Sequence, residues 1–231
     1  MLLLAVDTSG KFGSIAVARC EPPSSCAVLG IDTLEGGTFS AQLIPQVATL
    51  LKQLNLSKSD LDGFAVVSGP GSFTGLRIGL AAIKALAEIL RKPIVAVSLL
   101  EAVAAGASTN GLNSQGKITA ALEAGRGEIY FGEYAVGDAG TVHSSTVHEQ
   151  LCTGEEFVER TSGLVVTPDA RIADLARGAG KQVLQVDRPR GDAIAALGWK
   201  KIQANMLVSP EELEANYIRR TDAELLTNSA S

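Results

Sequence analysis

Leu2-Leu3-Leu4-Ala5-Val6-Asp7-Thr8-Ser9-Gly10-Lys11-Phe12-Gly13-Ser14-Ile15-Ala16-Val17-Ala18 opens the chain. Leu2–Val6 is a short apolar run that reads as a buried strand. A polar, glycine-bearing turn covers residues 7–13, and Ser14–Ala18 returns to small apolar residues, so the first two strands form a hairpin. Beyond a loop over Cys20–Cys26, Ala27–Ile31 reads as a third strand. Leu43, Ile44, Val47, Leu50, Leu51 and Leu54 then fall on one helical face, with Pro45 unsettling the first turn. Phe64–Val67 is the next strand, Leu76–Leu90 a helix and Ile94–Val97 a strand. Ser98 and Glu101 have the spacing of a capping box opening a third helix, which fades at Gly106.

The order then begins again. Ala107–Gly116, rich in Ser, Asn and Gly, reads as a linker. Lys117–Leu122 and Ile129–Val136 are strands around a turn at Glu123–Gly127, and Thr141–His148 is a candidate third strand. Thr153–Arg160 is a short helix with a second capping box, Thr153 and Glu156. Leu164–Val166, Asp169–Arg177, Val183–Val186 and Ala193–Gln203 continue as strand, helix, strand, helix. Both halves therefore read βββαβαβα, which predicts a mixed sheet covered by helices in each. That element order is the α/β ribonuclease H-like one, and its tandem duplicate is the actin-like (ASKHA) arrangement of sugar kinases and Hsp70-type ATPases. A single α/β domain is the alternative. The expected domains are 1–106, carrying the partner-binding surface, and 107–231, whose last segment can pack back on the first. The tail from Leu225 is polar, as frayed ends are.

Composition narrows the function. The 231 residues are 46% hydrophobic and only 4% aromatic, which favours helix-on-sheet packing. A net charge of -5 lacks the basic footprint of a protein that grips nucleic acid alone. The cysteines are Cys20, Cys26 and Cys152, an odd number with no Cys-x-x-Cys pair. The expectation is reduced thiols in a cytoplasmic protein, with no disulfide framework and no zinc site. The apolar start is broken by Asp7 and no run is long enough to span a membrane.

Two stretches could carry chemistry. Asp7, Thr8 and Ser9 end the first strand where a duplicated actin-like fold places its cleft. Such a turn can cradle a phosphate and hold Mg²⁺ through water, or it can be an ordinary turn capped by the aspartate. The matching turn of the second half, Glu123–Gly127, has a bulky Arg126 among its glycines, which weakens an ATPase reading. Gly69-Pro70-Gly71-Ser72-Phe73-Thr74-Gly75-Leu76-Arg77-Ile78-Gly79 has the placement of a phosphate loop without the Lys-Ser/Thr of a Walker A motif. Ser72 or Thr74 can cap the helix that follows. Between Ile78 and Leu90 only Lys84 and Glu88 are charged, so that helix is apolar on nearly all sides. Either it is sandwiched inside the monomer or another chain covers it. The second reading makes Gly71, Ser72, Phe73, Thr74 and Gly75 of the loop an interface. Arg77, Ile78, Gly79, Ala82, Ile83 and Leu86 of the helix join them, with the Ser40–Leu54 helix alongside. His143 and His148, the only histidines, form no metal pair at this spacing and suggest solvent-exposed positions. Trp199 reads as core.

These residues resemble those of the bacterial TsaB (YeaZ) family, accessory subunits in the making of threonylcarbamoyladenosine in tRNA. Leu4–Ser9 is similar to the family's opening strand, and Ser68–Gly79 to its signature. Gly127-Glu128-Ile129-Tyr130 resembles the second hairpin, and Asn216-Tyr217-Ile218-Arg219 the C-terminal Tyr-hydrophobic-Arg element. Glu123 and Ala215 depart from the family's frequent Asp and Pro. The resemblance implies a non-catalytic subunit that binds and supports the catalytic paralogue TsaD, with the ATPase TsaE acting through that pair. TsaD would contact most of the tRNA, and this chain could form a homodimer when alone. It also implies no metal, since Thr38–Gln42, where TsaD carries a histidine pair, has no histidine. No cofactor of its own is expected beyond weak or shared nucleotide binding. The alternative is an actin-fold ATPase or kinase using Asp7, Thr8 and Ser9. A nuclease of the ribonuclease H type is weaker still, because only Asp7 is placed for a two-metal cluster.

Overall fold

The computed structural model describes residues 1–23, 25–109, 116–136, 142–143 and 149–218. The first half contains β1 (Leu2–Asp7), β2 (Phe12–Glu21), β3 (Ser25–Glu35), α1 (Phe39–Gln53), β4 (Gly63–Gly69), α2 (Phe73–Leu90), β5 (Ile94–Ser98) and α3 (Leu99–Thr109). The second contains β6 (Gly116–Gly125), β7 (Glu128–Val136), β8 (Val142–His143), β9 (Gln150–Cys152), α4 (Gly154–Arg160), β10 (Leu164–Thr167), α5 (Ala170–Gly178), β11 (Val183–Gln185) and α6 (Gly191–Gln203).

The first sheet has strand order β3-β2-β1-β4-β5 and the second β11-β10-β6-β7-β8, with β9 also pairing with β7. In each, an antiparallel hairpin (β1/β2, β6/β7) is extended by parallel strands (β4 and β5, β10 and β11). The two sheets are thus copies of one topology, a duplicated ribonuclease H-like α/β fold.

Alternation along β1 shows why the opening run is apolar throughout. Leu3 and Ala5 enter one core while Leu4 and Val6 enter another on the opposite face. The second of these cores is roofed by α1 and α2 through Leu43, Leu50, Leu80 and Ile83. A third core, Ala121, Ile129, Phe131, Phe157 and Ile172, lies under α4 and α5.

The central core contains side chains from both sheets. Leu3, Ala65 and Val97 share it with Ile118, Ala120 and Val166. Its helices are exchanged between the halves. α3, which follows the first sheet in sequence, packs on β6, β7 and β10, whereas α6 packs on β1, β2 and β4 of the first sheet. Trp199 lies in this core, as expected. Lys201 of α6 and Glu101 of α3 pair at 2.8 Å with both side chains mostly buried. Glu101 is therefore diverted from the capping box, although its backbone N–H does bond Ser98 Oγ. Gly191 and Gly198 let α6 lie close to the sheet. A Cβ on Gly191 would stand 2.8 Å from that of Ala16, and one on Gly198 2.5 Å from that of Ala65.

Several expectations need correction. Cys20 and Cys26 are joined in a disulfide, and only Cys152 is a free, buried thiol. The cause is register: the β2–β3 hairpin sets the two cysteines directly opposite each other. α3 does not fade at Gly106 but runs to Thr109, because Ala107 still packs into the central core. α1 runs unbroken from Phe39, with Pro45 inside it. Of the candidate third strand Thr141–His148, Val142–His143 forms β8, while residues 141 and 144–148 lie outside the described residues. Linker residues 110–115, His148 and the tail from Arg219 lie outside the described residues. Of the described residues, no helix is long and apolar enough to cross a membrane.

Two glycine substitutions should separate close approach from helix propensity. Gly198→Val overpacks the α6–sheet contact and is expected to lower the unfolding free energy by about 1–3 kcal/mol. Gly178→Ala, where nothing stands within 4 Å of the added Cβ, should raise it by about 0.5–1 kcal/mol. Urea midpoints at constant m-value measure both.

Candidate functional site

β1 delivers Asp7, Thr8 and Ser9 to the end of the first sheet, where all three are buried. The Asp7 carboxylate accepts hydrogen bonds from the Ser9 backbone N–H at 2.8 Å and from Ser9 Oγ at 2.6 Å. This is the self-capped turn that the residue pattern allowed. Burial pushes the Asp7 carboxyl above the usual aspartate value, opposed by the two Ser9 bonds and by the nearby charge of Arg188. Thr8 Oγ1 donates to the Gly75 carbonyl at 2.7 Å, and the Ser72 N–H donates to the Ser9 carbonyl at 2.7 Å. Ser72 is the N-cap of α2, its hydroxyl accepting from Gly75 N–H at 3.3 Å.

Gly71, Gly75 and Gly79, spaced four apart, all face this turn. A Cβ on Gly71 would collide with the Ser9 carbonyl, one on Gly75 with the Thr8 carbonyl, and one on Gly79 with Thr8 Oγ1. The helix thus lies directly on the turn. Gly75 and Gly79 permit close approach within the chain, not to another chain as the sequence suggested. Gly79, Gly75 and Ile83 of the expected interface are buried here. Ser72, Thr74 and Arg77 are exposed, and Gly71, Phe73, Ile78, Ala82 and Leu86 are half-buried. Ile89, 73% exposed, extends that half-buried stripe, and Ile44 of α1, 48% exposed, lies beside it. A shallow groove of about 670 Å³ runs along α1 and the 55–60 segment that follows it, bordered by Ile44, Val47 and Leu51, with Leu86 of α2 at its edge.

The hairpin turns of the two halves face each other across a cleft of about 860 Å³. Ser9, Gly10 and Lys11 line one side, Glu123 to Arg126 the other, and Arg188 and Tyr217 also reach it. Arg126 stands between Gly125 and Gly127 with all three at positive φ, in a turn shorter than that of residues 8–11 in the first half. The acidic groups here are engaged. Glu123 pairs with Arg171, and the Asp169 carboxylate accepts the Glu123 N–H at 2.7 Å. Asp7 is not among the lining residues. Among the described residues no cluster of three His, Cys, Asp or Glu could hold a metal. The cleft can therefore offer cationic side chains and backbone to an anion, but the carboxylate that would hold Mg²⁺ is turned onto Ser9.

Sequence reasoning missed a hub around Glu149. Its carboxylate accepts from Tyr134 Oη at 2.8 Å, from Asn216 Nδ2 at 2.7 Å and from Ser98 Oγ. Asn216 N–H donates to the Ser68 carbonyl at 2.7 Å, so a C-terminal strap is tied to both halves. Beyond it, the Tyr217 ring lies 4.8 Å from that of Phe73 and its hydroxyl accepts from Arg77 Nε at 2.9 Å. The only sequence signal was the Asn216-Tyr217-Ile218 element. Nothing in the spacing linked it to Phe73 or Glu149.

With this geometry in hand, the comparisons are direct. The family described as TsaD, tRNA N6-adenosine threonylcarbamoyltransferase, matches residues 36–213. Relatives carry another name: tRNA threonylcarbamoyladenosine biosynthesis protein TsaB of Escherichia coli is 27% identical over 96% of both chains. TsaB of Bacillus subtilis is 37% identical over 58% of this chain and 55% of that one. The chain belongs to the TsaB (YeaZ) branch of this family. The solved structure of YeaZ from Pseudomonas aeruginosa superimposes with a TM-score of 0.72 at 22% identity, covering 94% of this chain and 99% of that one, which shows the shared fold.

Two measurements probe the site. Gly79→Ala should cost about 1–3 kcal/mol of stability, because the methyl must displace Thr8 from its bond to Gly75. An unchanged thermal midpoint would show that α2 does not rest on the turn. Glu149 is raised above the ordinary glutamate value of 4.5, first by burial and then by the charge of Glu101, with hydrogen bonds from Ser98 and Tyr134 opposing. The folded state then holds a proton that the unfolded state has released. Stability should fall as pH rises from about 4.5 toward the folded value, and level off beyond it. Glu149→Gln should flatten part of that slope in denaturant titrations, with Asp7, shifted the same way, supplying the remainder.

Proposed function

We propose that this chain is a non-catalytic subunit of the machinery that forms N6-threonylcarbamoyladenosine in tRNA, binding and supporting a TsaD-type catalytic chain through α1 and α2. The observation that carries the reading is the split character of α2. One face is locked onto the Asp7–Ser9 turn, while Ile78, Ala82, Leu86 and Ile89 remain partly or largely exposed among the described residues. A helix apolar beyond its internal contact is what a helix–helix interface requires. Two helices from each chain would pack as a four-helix arrangement. The engaged state of Asp7, Thr8 and Ser9 supports a subunit without its own complete site. The names of the full-length relatives supply the pathway.

In this reading the partner supplies the catalytic site and most of the tRNA contact, which suits a chain of net charge -5. A TsaE-type ATPase acts through the assembled pair, the setting is cytoplasmic, and in the partner's absence the same face makes a homodimer. The alternative is an actin-fold ATP-binding enzyme acting alone. The cleft with Lys11, Arg126 and Arg188 favours at least weak binding of an anionic nucleotide. Asp7, whose Oδ1 is bonded to Ser9, is not among the residues lining that cleft, which counts against turnover.

Size exclusion with light scattering, on the chain alone and mixed with the cognate TsaD subunit, tests this. A mixed complex is expected, lost in Ala82→Arg and Ile89→Arg while circular dichroism stays native. Gly79→Arg would strike Thr8 and unfold the chain rather than report on pairing. Failure to form a complex, with ATP hydrolysis by the chain alone, would establish the alternative.

A further inference from the structure

Arg77 sits on the first turns of α2, exposed, on the flank facing the C-terminal strap rather than α1. It is held more firmly than an exposed arginine ordinarily is. Its guanidinium carbon lies 3.6 Å from the Phe73 ring centroid and 5.8 Å from that of Tyr217, and Nε donates to Tyr217 Oη at 2.9 Å. Tyr217 is itself fixed by its stack on Phe73, and its neighbour Asn216 is bonded to Ser68 and Glu149. Only one of the five N–H donors is used: no other hydrogen bond or ion pair of Arg77 occurs among the described residues. A planar fork with its orientation already fixed suits bidentate capture of a carboxylate, and little freedom is lost on binding.

The open N–H donors of Arg77 select an anionic occupant. Residues 39–92, which contain α1 and α2, hold six basic and three acidic residues, with Glu211, Glu212 and Glu214 on the strap beside them. Lys84, two turns beyond Arg77, lies on the same flank, near Glu211. An apolar stripe bordered by an arginine and further cations is the anatomy of an interface whose counterpart carries acidic groups at its edge.

We propose that Arg77, stacked on Phe73 and held by Tyr217, is the docking point for an aspartate or glutamate at the rim of the partner subunit's helix pair, with the C-terminal strap as the element that positions it. This rests on the subunit reading above.

Binding of the cognate partner should be measured by calorimetry at low and high salt for wild type, Arg77→Glu, Arg77→Lys, Tyr217→Phe and Lys84→Ala, all with native thermal midpoints. Arg77→Glu should weaken binding by at least about tenfold, and Arg77→Lys nearly as much, because an ammonium neither forks nor stacks. Tyr217→Phe, which leaves the ring but frees Nε, should weaken it by about threefold, and Lys84→Ala by less. The salt dependence should shrink in Arg77→Glu. If wild type binds and Arg77→Glu binds within about twofold of it, the inference about Arg77 fails while the subunit reading stands. If pairing is unchanged but the assembled complex loses tRNA, Arg77 serves a phosphate and the inference is overturned. If wild type does not bind, both fall together.

Discussion

The contact on which the rest of the structure depends is that between α2 and the Asp7-Thr8-Ser9 turn. Three glycines four residues apart remove the side chains that would hold the helix away. Thr8 then reaches the Gly75 carbonyl and Ser72 reaches that of Ser9. Helix and turn satisfy polar groups that burial would otherwise leave unpaired, and each such group costs roughly 1–3 kcal/mol if orphaned. The same bonds occupy the Thr8 hydroxyl and the Ser9 carbonyl, and Ser9 takes up Oδ1 of Asp7, so the atoms that seat the helix are those of the turn itself.

Anchored on that side, α2 is oriented by default on the other. The residues of its outer stripe are only partly drawn inward: Leu80 and Ile83 complete the roof over Leu4, Val6 and Ile15, and Ile78, Ala82 and Leu86 pack only against the edge of that core. What remains outward is set by the helical period: Ile78, Ala82 and Ile89 form a stripe that borders the one made by Gly75, Gly79 and Ile83, and is less buried than it. The half-exposed stripe is therefore a by-product of how closely the glycines seat the helix. A helix held less closely would have to rotate to bury some of these residues in its own domain.

Most of the architecture was legible in the sequence, because strand period, helix period and capping signals act locally. The duplication showed in element order, and α1, α2 and α6 formed close to where their periodicity placed them. Non-local matters were less legible. Cys20 and Cys26 bond because a hairpin register brings them opposite, which residue parity cannot reveal. Gly79 was assigned to the right helix and the wrong face, since apolar pattern alone does not say which of two apolar faces is inside. Helix exchange left only a hint, in that the last segment was expected to return to the first domain. Glu149 and Asn216 lie 67 residues apart and belong to no periodic pattern, so their meeting was visible only in three dimensions.

That meeting has a mechanical consequence. In a duplicated fold with a cleft between its halves, activity of the kinase type requires the halves to open and close. Here α3 packs on the second sheet, α6 on the first, and Glu101 and Lys201 join the two helices. The Glu149 hub adds bonds from Ser98 of the first half, Tyr134 of the second and Asn216 of the strap. Opening the cleft would strip partners from a buried carboxylate and shear two exchanged helices across a close-packed core, which does not deform continuously. A body braced in this way is poorly suited to a cycle of domain closure and well suited to holding a surface steady. On the proposed reading, the bracing that opposes domain closure is also what holds the exposed stripe of α2, and Arg77 at its edge, in one orientation for a partner.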